Sequence, residues 1–311
     1  MSHYILQALT LRNALRLVRP IAVLCSSVAI IFSGVFPLVT YGNVPVSTIV
    51  LISVVLLVGC ILIHGMLTHA LNDYIDHLSA TDQRSPAMLS GGSRIIQEGR
   101  ITPGLLYRFG LWLTGILLVL DVILLLTGQY RLAILLLVGI WGAASYSLPA
   151  LRLSYYPLAG EWISTFPSAL FLGLGGAWLA TGEFPLWSVQ NALINALYCI
   201  AWVMVHHIPD LDADRQASPV KRTSVVWCAD RWGVEFSRLP ALAYMLLIAL
   251  CSLWLAISGR YIAAASIGII VLLSIWWIWQ MDVHNPASVT ACEKKLLLLA
   301  IAGAVLLGIG V

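Results

Sequence analysis

Long apolar stretches occupy most of this 311-residue chain, and they limit its possible folds more than any other feature. Only 10% of the residues are charged, against about 25% in an average soluble domain. Each stretch has close to the roughly 20 residues that an α-helix needs to cross the hydrocarbon of a bilayer. Because backbone polar groups in lipid must pair internally, we predict an all-α, polytopic bundle of nine transmembrane helices. We place them at 20–39, 46–70, 104–127, 131–149, 158–180, 187–208, 238–257, 261–281 and 295–311.

The basic residues are distributed unevenly between the two sides of this predicted bundle. All of the 17 Lys and Arg residues except Arg131 and Arg260 fall on the side that carries the N-terminus. By the positive-inside rule, that side is cytoplasmic and the C-terminus lies on the opposite side. We therefore expect a multi-pass protein of the cell inner membrane. The basic residues indicate its orientation and do not indicate nucleic-acid binding.

Three segments outside the apolar stretches belong to one predicted domain that spans 1–311. In residues 1–19, Arg12, Arg16 and Arg19 follow helical spacing, which is typical of an interfacial helix on the lipid bilayer. The connections at 71–103 and 209–237 are much longer than the others, and long loops in compact domains are usually functional. We predict that they are cytoplasmic cap loops over a central apolar cavity.

Each cap loop contains an acidic cluster, and together the clusters hold six of the 14 acidic residues. Residues three or four positions apart share one face of a helix, which groups the members of each cluster except Asp212. Carboxylates this close repel one another unless a cation neutralises them. Oxygen ligands suit Mg²⁺, which proteins usually bind through a few carboxylates and the substrate's phosphates. The candidate magnesium ligands are Asn72, Asp73 and Asp76 in the first cluster and Asp210 and Asp214 in the second.

Basic residues follow each acidic cluster, and Arg and Lys side chains bind phosphate oxygens well. Metal-binding carboxylates, phosphate-binding cations and an apolar bundle together predict a ligand with an anionic head and a long apolar tail. A prenyl diphosphate has that structure. Aromatic faces could stabilise the allylic carbocation that forms as diphosphate leaves. The candidates are Tyr74, Trp112, Trp141, Tyr146, Trp162, Tyr198 and Trp202.

His206 and His207 directly precede the second acidic cluster, and their roles remain open. Zinc ligation is disfavoured because the six cysteines are scattered and form no cluster. The two side chains could line an acceptor pocket, or they could hydrogen-bond between helices.

The motifs of this chain resemble those of the UbiA superfamily of intramembrane prenyltransferases. The resemblance rests on Asn-Asp-Tyr-Ile-Asp at 72–76, Ser-Gly-Gly-Ser-Arg at 90–94, the segment 146–153 with Gly160-Glu161, and the second acidic motif. These are similar to the branch that prenylates 1,4-dihydroxy-2-naphthoate in menaquinone synthesis. The resemblance implies nine transmembrane helices, an Mg²⁺ cofactor, a prenyl diphosphate and an aromatic acceptor.

The residue patterns and the resemblance together define a set of candidate site residues. We expect a catalytic set that contains Asn72, Asp73, Asp76, Asp210, Asp214 and Tyr146. We expect a substrate-binding set that contains Asp82, Arg84, Ser93, Arg94, Arg152, His206, His207, Lys221 and Arg222.

Several residues near the second motif depart from the menaquinone branch. His206-His207 stands where that branch has an Asn pair, Ser218-Pro219-Val220 replaces a short Gly linker, and Ala150 replaces a Pro. Transfer to an aromatic acceptor is the favoured function. A UbiA-type terpene cyclase, which ionises prenyl diphosphate without an acceptor, is the alternative. A lipid or metal transporter is less favoured because transporters place polar groups near the bilayer midplane. The sequence indicates no catalytic base.

Overall fold

The computed structural model of the chain describes residues 10–86 and 89–311. All regular structure in these residues is helical, as predicted. The first helix, α1 (Leu11–Val18), begins at Thr10, whose hydroxyl accepts a hydrogen bond from the backbone N–H of Asn13 at 3.4 Å. The predicted interfacial segment 1–19 is thus helical in its second half, whereas residues 1–9 lie outside the described part.

The remaining described chain contains nine long helices and three short α-helices, which lie in the two long connections. In order they are α2 (Pro20–Thr40), α3 (Val46–Leu78), α4 (Thr81–Arg84), α5 (Pro103–Leu126), α6 (Tyr130–Ser147), α7 (Gly160–Thr181), α8 (Leu186–His206), α9 (Leu211–Arg215), α10 (Ser224–Trp232), α11 (Val234–Ile257), α12 (Tyr261–Gln280) and α13 (Pro286–Ile309). Eight of the described helices are long and apolar enough to cross a membrane. Helix α13 is equally long, but Glu293, Lys294 and Lys295 lie in its first half.

Three predicted boundaries differ from the structure. Helix α3 continues to Leu78, well past the predicted end at 70. Proline chemistry explains the other two. Helix α8 ends at His206, because Pro209 disfavours a helical conformation in the residue before it. Asp210 therefore begins the separate helix α9. Helix α13 starts at Pro286, well before the predicted position 295, because proline is favoured in the first turn. The Asn285 side chain caps α13 by accepting from the backbone N–H of Ala287 at 3.0 Å.

Helix α8 lies at the centre of the bundle, in contact with α7, α11 and α13. Within its most apolar window, 72% of the residues are buried inside the protein, compared with 17% for the peripheral helix α5. Small residues bring neighbouring helices together, since a Cβ atom at Gly34 on α2 would overlap the carbonyl oxygen of Gly173 on α7. Close backbone approach of this kind stabilises helix pairs in lipid, where apolar burial contributes little.

A cavity of about 850 Å³ extends between the helices, with one end beneath the cap loops. Its long apolar portion is lined by Ile30, Leu56, Ile63, Leu117, Leu135 and Leu172. Polar side chains from both cap regions line the other end: Asn72, Asp76, Arg94, Tyr146, Asp210 and Lys221. The two ends of one cavity thus differ sharply in polarity.

Candidate functional site

The first acidic motif lies on the last turns of α3. Two of its residues, Asn72 and Asp76, line the cavity. Asn72 donates from Nδ2 to Asp76 Oδ2 at 2.8 Å, the contact that i,i+4 spacing predicts. Ser147 Oγ on α6 donates to Asn72 Oδ1 at 3.1 Å. Asn72 therefore holds the Asp76 carboxylate in a fixed orientation at the polar end of the cavity.

Asp73 lies in the same motif, but its carboxylate is bound by side chains of the protein itself. Arg19 forms an ion pair with Oδ1, and the Ser93 hydroxyl donates to Oδ2. The backbone N–H of Ser93 lies 3.3 Å from Oδ2 as well. Asp73 thus ties the start of α2 and the first cap loop to α3.

Lys221 joins the two acidic motifs. Its ammonium nitrogen lies 3.1 Å and 3.2 Å from the two Asp76 oxygens, and 3.9 Å from Asp214 Oδ1. Burial alone lowers the pKa of a lysine, but here the Asp76 and Asp214 carboxylates more than offset burial and raise the pKa of Lys221 well above its ordinary value. Removing one partner of such a buried pair costs about 3–5 kcal/mol.

The second acidic motif is much less saturated with hydrogen bonds than the first. Asp210 Oδ1 accepts from the hydroxyls of Ser85 and Ser90, in the first cap loop, at 2.5 Å and 3.0 Å. Asp214 is fully buried, and neither of its oxygens has a hydrogen-bond partner in the described residues. The nearest imidazole, His207 Nδ1, is 3.8 Å from Oδ2.

Burial of these second-motif carboxylates changes their ionisation. It raises the pKa of Asp210, although hydrogen bonds from Ser85 and Ser90 act in the opposite direction. It raises the pKa of Asp214 well above the ordinary value, and the neighbouring Asp210 and Asp76 carboxylates add to the effect. Lys221, 3.9 Å away, favours the charged form of Asp214 but donates no hydrogen bond to it, so a bound cation would stabilise this buried carboxylate further.

Asp82 lies beneath the glycine turn of the first cap loop. Gly92 has a φ of 73°, and a Cβ atom there would overlap the Asp82 carboxylate, so this close approach requires glycine. Gln97 Nε2 donates to Asp82 Oδ2 at 3.3 Å. Burial and the nearby Asp76 and Asp73 carboxylates raise the pKa of Asp82 to about 8.

The predicted phosphate-binding arginines occupy different environments. Arg94 and Ser93 line the cavity, and the Arg94 guanidinium also donates to the Asp82 backbone carbonyl. The remaining arginines lie outside the described cavity lining: Arg84 donates to the Gln216 carbonyl, Arg152 lies 5.8 Å from the Tyr155 ring, and Arg222 is exposed.

The two adjacent histidines both line the cavity but have different partners. His207 Nε2 pairs with the Tyr146 hydroxyl at 3.0 Å, and burial together with Lys221 lowers the pKa of His207 well below its usual range. His206 Nδ1 pairs with Glu293 Oε1 of α13 at 2.7 Å. Of the seven aromatic side chains proposed to stabilise a cation, Tyr146 and Trp202 line the cavity in the described structure.

The sequence did not predict the partners of the site carboxylates or of His206. Arg19, Ser85, Ser90 and Gln97 contact the carboxylates, and Glu293 contacts His206. The sequence could have indicated a role for Arg19, because this cation directly precedes Pro20 at the start of the first span. Glu293 was hidden in a Glu-Lys-Lys triplet, which is typical of a solvated helix end. In the described part of the chain, no three His, Cys, Asp or Glu side chains lie close enough to hold a metal ion alone.

Comparisons with known proteins agree with this fold. A UbiA homologue from Archaeoglobus fulgidus bound to GPP and Mg²⁺ matches with a TM-score of 0.66 at 14% identity, covering 94% of this chain and 98% of that one. The same homologue bound to DMAPP and Mg²⁺ matches with a TM-score of 0.63, at the same identity and coverage. A structure concerned with digeranylgeranylglyceryl phosphate synthase in membranes matches with a TM-score of 0.53 at 18% identity, covering 95% of this chain and 98% of that one.

The curated proteins contain no match to this sequence. Residues 16–302, nearly the whole chain, match the model of the UbiA prenyltransferase family. The predicted resemblance to this family is confirmed, although the match does not distinguish its branches. The chain belongs to the UbiA prenyltransferase family, whose members are prenyltransferases.

Proposed function

We propose that this protein is an Mg²⁺-dependent intramembrane prenyltransferase that transfers an isoprenoid from a prenyl diphosphate to an aromatic acceptor. One observation supports this most strongly: Lys221 connects Asp76 of the first motif to Asp214 of the second, at the polar end of an apolar cavity. A diphosphate headgroup needs clustered oxygen ligands and cations, and a prenyl tail needs an apolar channel. Both lie within the same 850 Å³ cavity.

The residues of the site fit Mg²⁺. Asp76 and Asp210 line the polar end of the cavity, whereas Asp214 is buried beside Lys221, outside the described cavity lining, with two oxygens that have no hydrogen-bond partners in the described structure. Mg²⁺ usually binds proteins through one or two carboxylates and completes its coordination with water and substrate phosphates. Asn72, Asp73, Asp76, Asp210 and Asp214 are the proposed holders of Mg²⁺. When bound, the ion would neutralise the charge that develops on the departing diphosphate.

Cations of the chain would bind the remaining phosphate oxygens. Lys221 and Arg94 line the cavity next to the acidic motifs, with the Ser93 hydroxyl beside them. Fixed cations of this kind stabilise negative charge as it develops on the leaving group without reorganising. Arg84 would act indirectly, because its hydrogen bond to the Gln216 carbonyl joins the two cap loops, and Arg152 would act only through its neighbour Tyr155. A role for Arg222 would require a different conformation of its exposed side chain.

The apolar part of the cavity would hold the prenyl chain and exclude water from the allylic cation. Tyr146 and Trp202 are the proposed aromatic side chains that line the cavity in the described structure. The same feature favours the alternative function, a terpene cyclase, because cyclisation also needs a dry cavity with aromatic faces. Products formed from prenyl diphosphate and Mg²⁺ without any acceptor separate the two functions.

We further propose that α13 is the ninth transmembrane helix of a single domain, with both cap loops cytoplasmic. The basic residues near α1, the two cap loops and the start of α13 support this orientation by the positive-inside rule. Accessibility of single introduced cysteines in the cap loops of intact cells tests it.

The activity can be tested directly with purified protein, geranyl diphosphate, Mg²⁺ and a panel of hydroxylated aromatic acceptors. We expect Mg²⁺-dependent release of diphosphate, and a prenylated product by mass spectrometry. Asp210→Ala should abolish both. Asp212→Asn is the matched control, because Asp212 is exposed in the same motif and pairs with Arg215 at 3.3 Å. Turnover that survives Asp210→Ala would overturn the proposal.

A further inference from the structure

We propose that His206 accepts the proton that must be lost at the end of the reaction, and that Glu293 is its positioning residue. This proposal rests on the proposed function, and it names two residues of α8 and α13 that the acidic motifs do not include. Both prenylation of an aromatic ring and termination of a carbocation as an alkene release one proton. A general base close to the cation is therefore needed in either case.

Glu293 is a fully buried carboxylate in an otherwise apolar environment. Its residue exposure is 0%, and its Oε1 lies 2.7 Å from His206 Nδ1. Its second oxygen, Oε2, has no hydrogen-bond partner in the described residues. A carboxylate is seldom fully buried unless it is paired, and the imidazole of His206 is the partner that the described structure provides.

Neighbouring cations do not compete for the Glu293 carboxylate. Lys294 is exposed, and the Lys295 ammonium lies 5.2 Å from the centre of the Trp277 ring. An imidazole that gained a proton would therefore be stabilised by the Glu293 charge at 2.7 Å, in a low-dielectric environment.

His206 is held so that one ring nitrogen faces Glu293 and the ring itself lines the cavity. Its imidazole packs against the Trp202 indole, with ring centroids 4.9 Å apart. The Nδ1–H that donates to Glu293 fixes the tautomer, which leaves Nε2 as a proton acceptor. His206 lines the same cavity as Asp76, Asp210 and Lys221, in which the allylic cation of the proposed reaction would form.

His207 has no comparable arrangement, although it is the next residue. Its Nε2 is 3.0 Å from the Tyr146 hydroxyl, and its Nδ1 faces Asp214 at 3.8 Å. Both nitrogens of His207 are thus directed to residues of the proposed diphosphate site. The two histidines therefore have separate roles, with His206 the one that can exchange a proton with substrate.

In the proposed step, the allylic C–O bond breaks and the diphosphate leaves with the electron pair. A ring carbon of the acceptor forms the new C–C bond to the allylic carbon. The proton on that ring carbon moves to His206 Nε2, its C–H electron pair returns to the ring, and the ring regains its neutral aromatic structure. The imidazolium keeps its Nδ1–H bond to Glu293 and later returns the proton to water.

The test separates ionisation from proton removal. Purified full-length protein is given geranyl diphosphate and Mg²⁺, with and without 1,4-dihydroxy-2-naphthoate, and two quantities are measured for each variant. One is the rate of diphosphate release. The other is the fraction of released prenyl groups that end as coupled or alkene product, compared with the alcohol formed by water capture.

His206→Ala should reduce this product fraction by about 100-fold while diphosphate release changes far less, because a general base contributes roughly that factor. Added imidazole should restore product in His206→Ala. Glu293→Gln should give a smaller loss of about 10-fold, and Glu293→Asp should recover part of it, because the carboxylate supports the base without touching substrate. Thr290→Val, one turn earlier on α13 and also buried, is the matched control and should match the wild type.

Three outcomes would contradict this role. The first is that diphosphate release and product fraction fall together in His206→Ala. The second is that neither quantity changes in this variant. The third is that added imidazole does not restore product. A parallel loss confined to the Glu293 variants, with lowered thermal stability, would show a purely structural pair. Absence of Mg²⁺-dependent diphosphate release from the wild type, in contrast, would overturn the proposed function itself.

Discussion

The two acidic motifs look alike in the sequence but differ in how their charge is compensated. In the first motif, Asp73 pairs with Arg19 and Ser93, and Asp76 pairs with Lys221 and Asn72. In the second, Asp210 receives only two serine hydroxyls, and Asp214 has no hydrogen-bond partner in the described residues.

This difference separates two physical roles. The first motif is already neutralised by cations of the chain, so it contributes to folding as well as to binding. The second motif accepts fewer hydrogen bonds in the described residues, and Lys221 lies 3.9 Å from Asp214 compared with 3.1 Å from Asp76, so this motif has more to gain from a divalent cation. Because Lys221 belongs to the second cap loop and binds the first motif, the two loops cannot separate without breaking a buried ion pair.

The largest expected effect contrasts Asp76→Asn with Asp214→Asn. Each should reduce Mg²⁺-dependent diphosphate release by about 10²–10³-fold, the usual cost of removing one group that stabilises developing charge. Their effects on stability should differ. Asp76→Asn removes the carboxylate that Lys221 contacts at 3.1 Å and 3.2 Å and should lower the melting temperature without Mg²⁺, whereas Asp214→Asn replaces a buried carboxyl that accepts no hydrogen bond in the described residues and should lower it far less. Equal destabilisation by both variants would contradict the difference between the motifs.

Lys221→Met should affect both motifs at once. It leaves the buried Asp76 and Asp214 without a cation, so we expect a loss of about 3–5 kcal/mol in the free energy of unfolding. Chemical denaturation in detergent, with Lys221→Arg as the charge-conserving control, measures this loss. Mg²⁺ with a non-hydrolysable prenyl diphosphate should recover part of the lost stability. If Lys221→Met lost no stability, Lys221 would not be the residue that joins the two motifs.

The adjacent Lys221 and Arg222 also show what sequence alone could predict. The all-helical fold and eight of the nine predicted spans followed from hydropathy, and helical spacing predicted the contact between Asn72 and Asp76. Periodicity could not predict which cation of the pair faces inward, because residues 220–223 are outside any helix and Lys221 is fixed by contacts with α3. Similarly, the sequence could not predict the contact of Glu293 with His206, because the two residues are 87 positions apart in the chain.

A smaller effect concerns pH and Asp82. The pKa of Asp82 is about 8 in the folded protein, compared with an ordinary value of 3.8. Between these values the folded state holds a proton that the unfolded chain has lost, so stability should fall as pH rises from about 4 to about 8. The raised pKa values of Asp210 and Asp214 act in the same direction. Thermal melts without Mg²⁺ at pH 5 and pH 8 measure this, and Asp82→Asn should flatten the dependence.

The smallest expected effect is that of Arg222→Ala. Its side chain is exposed and lies outside the described cavity lining, so activity should change by less than about 2-fold, as for other exposed charges. Arg94→Ala is the informative counterpart, because Arg94 lines the cavity and should reduce turnover clearly. A strong loss in Arg222→Ala would show that the second cap loop rearranges on binding.

The central claim is that both acidic motifs and a divalent cation together hold the diphosphate of a prenyl diphosphate. Isothermal titration of the purified protein with geranyl thiodiphosphate, with and without Mg²⁺, tests it most directly. We predict binding only when Mg²⁺ is present, and its loss in both Asp76→Asn and Asp214→Asn. Equal binding without Mg²⁺, or binding that survives either substitution, would contradict the account.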